Sequence, residues 1–153
     1  MPPADEPLIK TIDIAAPPEF VFDFIVRPGN MVRWIGVDAL IDPKPGGVVR
    51  IDPNGRDVIR GVVLEIERPA RIVFTWGWER PDTRVPAGST IVEITLTAIE
   101  AGTRLTLIHR KLPPEMRGGH DVGWSHYLRR LKVVAEGGEP GPDAMADPAV
   151  RHG

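Results

Sequence analysis

The stretch from His120 to Glu136, HDVGWSHYLRRLKVVAE, has the apolar spacing of an amphipathic helix. We expect Asp121 to cap its first turn, and Gly137 with Gly138 to end it. One side of this predicted helix carries the bulky apolar side chains: Trp124, Tyr127, Leu128, Leu131, Val134 and Ala135. A face this wide needs a large partner surface, which the rest of the chain must supply.

Composition places the chain among ordinary globular domains. Its 153 residues suffice for one domain with a single core, and a net charge of −2 gives no electrostatic reason to bind nucleic acid or an anionic membrane. The absence of cysteine excludes disulfide and thiolate chemistry and fits a reducing cytoplasm. The N-terminus lacks a signal-peptide pattern, and no apolar run is long enough to span a bilayer. We therefore expect a cytoplasmic protein with no membrane partner.

The two ends of the chain predict a single folded region between them. Residues 1–7 carry three prolines and two acids, which predicts a flexible leader. Residues 139–153 are rich in proline, glycine and aspartate and predict a flexible tail. The predicted domain is therefore residues 8–138.

Periodicity within this region predicts an α+β fold. An alternating strand at 8–15 is followed by two short helices, at 17–27 and 29–34. Six further strands are separated by turn residues, at 37–41, 48–51, 58–67, 71–78, 90–99 and 104–111. Short turns between consecutive strands favour an antiparallel meander. We expect this curved antiparallel sheet to wrap around the apolar side of the long C-terminal helix.

Alternation along the strands predicts which side chains face that helix. On the strand at 71–78 they are Ile72, Phe74, Trp76 and Trp78. On the last two strands they are Val92, Ile94 and Leu96 with Leu105, Leu107 and His109. Residues 79–88, which are polar and contain two prolines, are predicted to form an exposed loop.

Several short strings occur in an order that is typical of one superfamily. They are IAAPPEFVF (14–22), RW (33–34), GVVLEIERP (61–69), RIVFTW (71–76), GTRLTL (102–107) with His109, and Gly123-Trp124 with Leu128 and Leu131. With them, residues 8–138 resemble the START-like superfamily (SRPBCC, Bet v-like), and within it the bacterial branch of the activator of heat-shock-protein-90 ATPase homologue family. The resemblance implies a helix-grip fold with a hydrophobic cavity between the sheet and the terminal helix. It does not settle the function, because one fold carries many functions.

The chain departs from the family pattern in two places. Ile35 stands where a second aromatic residue often follows the tryptophan of the second helical piece. The strand after Asp42 is also short and proline-rich, which predicts a different cavity mouth.

Aromatic side chains are the candidates for ligand contacts, because large, flat and partly polar walls suit an apolar or aromatic small molecule. The predicted ligand-binding residues are Trp34, Phe74, Trp76, Trp78, His109, His120, Trp124, Tyr127 and Leu128. The alternative is that these side chains only fill a closed core. Trp76 and Trp78 on one strand face favour a cavity, since both are difficult to fit into a closed core.

His109 and His120 have two interpretations. Beside a cavity, a pair of imidazoles could orient a ligand or exchange protons near neutral pH. We favour structural roles, with one histidine hydrogen-bonded at a strand end and the other at a helix cap. His126 on the polar helix face and His152 in the tail are not candidates.

No pattern predicts a catalytic residue, a metal or a cofactor. The chain has no cysteine, no His-Glu-x-x-His and no Gly-x-Gly-x-x-Gly, and Ser89 and Ser125 lie in no nucleophile-like context. We therefore assign no catalytic residue, no metal ligand and no cofactor, and an enzymatic function is the less favoured reading.

Three functions stay open. The first is binding of a small hydrophobic or aromatic molecule in the cavity, without chemistry. The second is an enzyme of the polyketide cyclase or dehydratase kind, with His109, His120 or a buried glutamate as acid or base. The third is protein interaction, as in the co-chaperones that share this domain. We rank them in this order, with a small hydrophobic molecule as the expected partner, no nucleic acid, and a homodimer as a further hypothesis.

Overall fold

The computed structural model describes residues 6–152, so most of the predicted leader (residues 1–5) lies outside the described residues. The strands are β1 Leu8–Ile14, β2 Asp38–Ile41, β3 Val48–Asp52, β4 Ile59–Glu67, β5 Arg71–Trp76, β6 Thr90–Ile99 and β7 Gly102–Arg110. The helices are α1 Pro18–Val26, α2 Pro28–Met31 and α3 Arg117–Ala135, with 3₁₀ turns at Pro114–Met116 and Ala144–Ala146.

The seven strands form one antiparallel sheet in the order β1-β7-β6-β5-β4-β3-β2. The sheet curls around α3, and α1 and α2 follow the first strand. This is the predicted α+β helix-grip fold. It arises because each element exposes one apolar side that only the facing element can cover.

The core between sheet and helix is the one that periodicity predicts. On β6 and β7 the inner-face residues are direct cross-strand partners: Val92 with His109, Ile94 with Leu107 and Leu96 with Leu105. Each of these six is at most 4% exposed, and the six apolar residues of α3 are at most 5% exposed. Burial of an apolar side chain of this size contributes about 1.5–3 kcal/mol, so this layer dominates the stability of the fold.

The helix α3 begins earlier than predicted. Its first residue is Arg117, directly after the 3₁₀ turn, and its N-cap Met116 makes no side-chain hydrogen bond. The prediction that Asp121 caps the helix is therefore wrong, because the preceding turn already continues into the helix. Asp121 instead accepts a hydrogen bond from the Lys10 ammonium at 2.6 Å. The predicted end is confirmed: the helix stops at Ala135, and Gly137 has a φ of 91°.

The strand β5 ends two residues before the predicted position. At Gly77 the backbone passes so close to Pro86 that an added Cβ would overlap the Pro86 carbonyl. Trp78 then pairs with the loop instead of β6, because its N–H donates to the Val85 carbonyl at 2.8 Å. Within the predicted exposed loop 79–88, Val85 is fully buried, which corrects that prediction at this residue.

Residues 139–152 lie against α3 and against the turn between β3 and β4. The sequence predicts this segment as a flexible tail, and its flexibility stays a prediction. Within residues 6–152, no helix combines the length and apolar character that crossing a membrane requires. The cytoplasmic location also stays a prediction.

Candidate functional site

Trp76 lies at the centre of an aromatic cluster that joins β5, β7 and α3. Its ring centroid is 4.9 Å from that of Trp124, 6.1 Å from Trp78 and 5.6 Å from His109. His120 completes the cluster at 6.4 Å from Trp76. Tilted and edge-to-face arrangements predominate, and these favour aromatic pairs by about 0.5–1.5 kcal/mol beyond burial. The cluster is therefore a continuous layer of packed rings.

A pocket of about 180 Å³ adjoins this cluster. Its walls come from the end of β5, the first half of α3, the turn after β3 and the C-terminal segment. The lining residues are Ile35, Pro53, Ile59, Trp76, Trp78, Met116, Gly119, His120, Gly123, Trp124, Tyr127, Met145, Val150, Arg151 and His152. Aromatic rings, aliphatic groups and two thioethers make most of this surface, and no carboxylate lies among them.

The structure brings five of the nine predicted ligand-binding residues to this pocket: Trp76, Trp78, His120, Trp124 and Tyr127. The other four are packed in the core away from it: Trp34, Phe74, His109 and Leu128. Whether any of the nine contacts a ligand stays a prediction.

Trp34 has a structural contact that explains its position. Its indole N–H donates to the Phe24 carbonyl at 2.8 Å, and its side chain is 2% exposed. This bond ties the chain after α2 to α1. The residue that follows it, Ile35, is the one that reaches the pocket, at the place where the family often has an aromatic ring.

His109 lies in a hydrogen-bond chain that fixes its tautomer. The Trp124 indole N–H donates to His109 Nδ1 at 3.1 Å, so this nitrogen carries no proton. The Thr90 hydroxyl donates to the Trp76 carbonyl at 2.8 Å, so its oxygen accepts from His109 Nε2–H, also at 2.8 Å. Both ring nitrogens are engaged, and the imidazole is neutral. This geometry matches the structural role that the sequence favours for His109.

The surroundings of His109 oppose its protonation. Burial, with a smaller contribution from His120, lowers the pKa of His109 from 6.5 to about 3. A proton on Nδ1 would also break the bond from Trp124. His109 is therefore held in contact with Trp124, and its lowered pKa disfavours the protonated form near neutral pH.

His120 is fixed as the opposite tautomer. Its Nδ1 donates to the Met116 carbonyl at 2.9 Å, and its Nε2 faces the Trp78 indole N–H at 3.4 Å. Burial lowers the pKa of His120, partly offset by the bond to Met116. The two histidines meet edge to face, with centroids 5.4 Å apart. His120 therefore forms a neutral edge of the pocket.

Two polar groups at this site lack a hydrogen-bond partner among residues 6–152. The Trp76 indole N–H is one, although Trp76 is only 4% exposed. By strict distance and angle the Tyr127 hydroxyl is the other, but the Asp143 carboxylate lies beside it and acts on it as a hydrogen-bond acceptor. Burial, assisted by the negative charge of Asp143, raises the pKa of Tyr127. Buried polar groups are rarely left unpaired, so the Trp76 N–H marks a place where a partner is missing.

Sequence reasoning missed several lining residues. Gly119 and Gly123 lie one turn apart on α3, and the absence of side chains there leaves room for the pocket. The sequence does contain a signal for these two positions. A glycine within a helix costs about 1 kcal/mol relative to alanine, so its presence there indicates a packing or functional requirement. The composition of residues 139–153 predicts a tail outside the domain, and for this reason the sequence does not point to Met145, Val150, Arg151 and His152.

Within residues 6–152, no group of three or more metal-ligating side chains could hold a metal ion.

Comparison with known proteins gives the family. The sequence model described as Activator of Hsp90 ATPase homolog 1-like protein matches residues 15–136, which is most of the chain. The chain belongs to this family. The family match ends at the end of α3 and does not include the C-terminal segment that closes the pocket. No curated protein matches the chain in sequence.

Solved structures of bacterial proteins share the fold. An AHSA1-like protein of Rhizobium etli is 36% identical, with coverage of 97% of this chain and 93% of that one and a TM-score of 0.74. CalU16 of Micromonospora echinospora is 26% identical, with coverage of 88% and 80% and a TM-score of 0.70. The Aha1 dimer of Colwellia psychrerythraea is 18% identical, with coverage of 88% and 98% and a TM-score of 0.75. At 18% identity the similarity shows the fold alone.

Proposed function

We propose that this protein binds a small, flat, apolar molecule in the pocket beside the tryptophan cluster. The observation that carries the proposal is the pocket of about 180 Å³ walled by three tryptophans. A cavity of about 150 Å³ accommodates benzene, whereas drug-sized ligands need about 300 Å³ or more. The expected ligand therefore has one or two rings.

The chemistry of the walls also supports a polar end on this ligand. The unpartnered Trp76 indole N–H is a donor without an acceptor, and an unsatisfied buried donor costs about 1–3 kcal/mol. This nitrogen is sealed from water in the free protein, so the indole must shift slightly before a carbonyl or ether oxygen on the ligand can reach the N–H and remove this cost. A carboxylate at the same place would find no free counter-charge in Arg151, whose guanidinium already faces Asp57 at 3.3 Å. We therefore expect an aromatic ligand with one hydrogen-bond acceptor.

The ring nitrogens of both histidines are already hydrogen-bonded, which favours a ligand-binding function over acid-base catalysis. A general acid or base must reach its substrate with a titratable atom that can gain or lose a proton near the working pH. Both nitrogens of His109 and both of His120 already have partners, and their pKa values are lowered. Neither residue supports the cyclase or dehydratase alternative.

Replacement of Trp76 by phenylalanine tests the acceptor. We expect the wild-type protein to bind acetophenone more tightly than ethylbenzene, which has the same shape without the carbonyl. A net hydrogen bond contributes about 0.5–1.5 kcal/mol, so the wild-type affinity for acetophenone should exceed that for ethylbenzene by roughly 2- to 12-fold. Trp76→Phe should abolish this preference. Isothermal titration calorimetry measures both affinities.

Trp34→Phe is the matched control, since Trp34 donates to Phe24 outside the pocket. It should lower the melting temperature and leave the ligand preference unchanged. A wild-type protein that binds the two compounds equally would contradict the role of the Trp76 N–H.

A protein-interaction function is the second candidate, and one surface favours it. Val48 and Val62 are cross-strand partners on the outer face of β3 and β4, and they are 42% and 40% exposed. Leu40 and Leu64 extend this apolar surface. The family is named for activation of Hsp90 ATPase, and the Colwellia relative is a dimer, so a chaperone and a second copy are both candidate partners. A pull-down from the native host that recovers neither would count against this function.

A further inference from the structure

The C-terminal segment of residues 139–152, which we name the strap, is held at two separate places with the pocket between them. One end is attached to α3 and the other to the turn between β3 and β4. The strap lies beyond the part of the chain that the family model matches. The alignment with the Rhizobium etli structure covers 97% of this chain and so extends into the strap, which means that a relative also has chain at this position.

The first attachment joins the strap to the polar side of α3. Asp143 caps the 3₁₀ turn of the strap by accepting from the Met145 N–H at 2.9 Å, and the same carboxylate oxygen lies 2.7 Å from His126 Nε2. Arg130 donates to the Gly141 carbonyl at 3.0 Å. Two side chains of α3, His126 and Arg130, therefore hold this end of the strap.

The second attachment joins the strap to residues 54–57. The Asn54 amide donates to the Val150 carbonyl at 2.8 Å. Asp57 accepts from the His152 backbone N–H at 2.9 Å and faces the Arg151 guanidinium at 3.3 Å. These contacts join residues that are more than 90 positions apart in sequence.

Two polar side chains of this turn are buried where the strap contacts it. Asn54 and Asp57 are polar residues of a turn, yet each is only 2% exposed. The Asn54 side-chain oxygen holds the turn by accepting from the Asp57 N–H at 2.8 Å, which leaves its amide N–H₂ free for the strap. Buried polar groups need partners, and the strap supplies them here together with Arg80, whose guanidinium lies 3.6 Å from Asp57.

Between its attachments the strap forms one wall of the pocket. Met145, Val150, Arg151 and His152 all line it. The His152 ring stacks on Trp78 at 5.5 Å between centroids and 7° between planes. Its Nε2 also reaches the Met145 carbonyl at 3.0 Å, which closes the strap on itself over the pocket.

We propose that the strap determines the ligand specificity of this protein, by setting the upper size limit of the molecule that the pocket accepts. The proposal rests on the proposed function. With the strap attached, the pocket has room for one or two rings. Asp57 is the positioning residue, because it holds the end of the strap that carries His152 and Arg151. Release of this end removes a wall and admits larger ring systems.

A series of acetyl-substituted aromatic compounds tests the proposal: acetophenone, 2-acetylnaphthalene and 1-acetylpyrene. Two full-length variants open the wall in different ways. Asp57→Ala removes the carboxylate that holds the Arg151 and His152 end of the strap and leaves the contacts from Asn54 and Arg56 in place. Met145→Ala removes a side chain from the wall while the strap stays attached. Asp147→Ala is the control, since Asp147 is exposed and, among residues 6–152, its carboxylate accepts only from the Ala149 N–H within the strap.

We expect the wild-type protein and Asp147→Ala to reject 1-acetylpyrene. In Asp57→Ala and Met145→Ala, the affinity for 1-acetylpyrene relative to acetophenone should rise at least tenfold. An unchanged ratio in both variants, with acetophenone still bound, overturns the strap proposal and leaves the proposed function standing. If no protein of the set binds any of the three compounds, the proposed function fails, and the strap proposal fails with it.

Discussion

The free energy of unfolding of this protein should fall by about 2 kcal/mol between pH 8 and pH 5 because of His109 alone. In the folded state its pKa is about 3, against 6.5 when unfolded. Below pH 6.5 the unfolded chain therefore takes up a proton that the folded chain excludes. Stability is fully present above pH 6.5 and is lost as the pH falls from there toward 3. The lowered pKa of His120 adds a loss of the same sign.

Urea denaturation of the wild-type protein and His109→Gln at the two pH values measures this effect. The variant is less stable at pH 8, since it disturbs the bonds to Trp124 and Thr90, but its stability should change less between pH 8 and pH 5. The ¹⁵N shifts of the imidazole give an independent readout and should show the Nε2–H tautomer down to pH 5. Titration of His109 with a midpoint near 6.5 would contradict the account and revive a role in proton exchange.

The second large effect concerns Gly123. Substitution by leucine should abolish binding of acetophenone, because the new side chain projects from α3 into the pocket that Gly123 lines. No atom lies within 4 Å of an added Cβ at this position, and leucine is the better helix former by about 0.5–1 kcal/mol. The variant should therefore fold at least as stably as the wild type.

Gly118→Leu is the matched control for this experiment. Gly118 is in the same helix and has equally open space around its Cβ, but it does not line the pocket. Calorimetric titration should show wild-type affinity for this control and no binding for Gly123→Leu. Equal affinities for the two variants would place the binding site elsewhere.

Local periodicity sufficed for much of the fold. The apolar face of α3 and the inner face of β6 and β7 follow from repeats of 3.6 and 2 residues, and the structure confirms both. The position of Trp78 could not be predicted in this way, since it depends on close approach of Gly77 to Pro86. A contact between two loop segments leaves no periodic trace in either one.

The candidate site was predictable only in part for a related reason. Aromatic residues that line the pocket, such as Trp76 and Trp124, stand out by composition. The strap does not, because proline and glycine in residues 139–153 indicate only that no regular element forms there. Its partners Asn54 and Asp57 lie in a different part of the chain, and neither sequence segment alone indicates the contact. The role of His109 likewise depends on Thr90 and Trp124, which come from two other elements.

The indole N–H signals in a ¹H–¹⁵N spectrum test the ligand site most directly, since the chain has four tryptophans. Three of them line the pocket, and the fourth, Trp34, donates to Phe24 away from it and serves as an internal reference. Titration with acetophenone should move the signals of Trp76, Trp78 and Trp124 in a saturable way and leave that of Trp34 in place. Signals that stay unmoved throughout, or a Trp34 signal that moves as far as the other three, would contradict a binding site in this pocket.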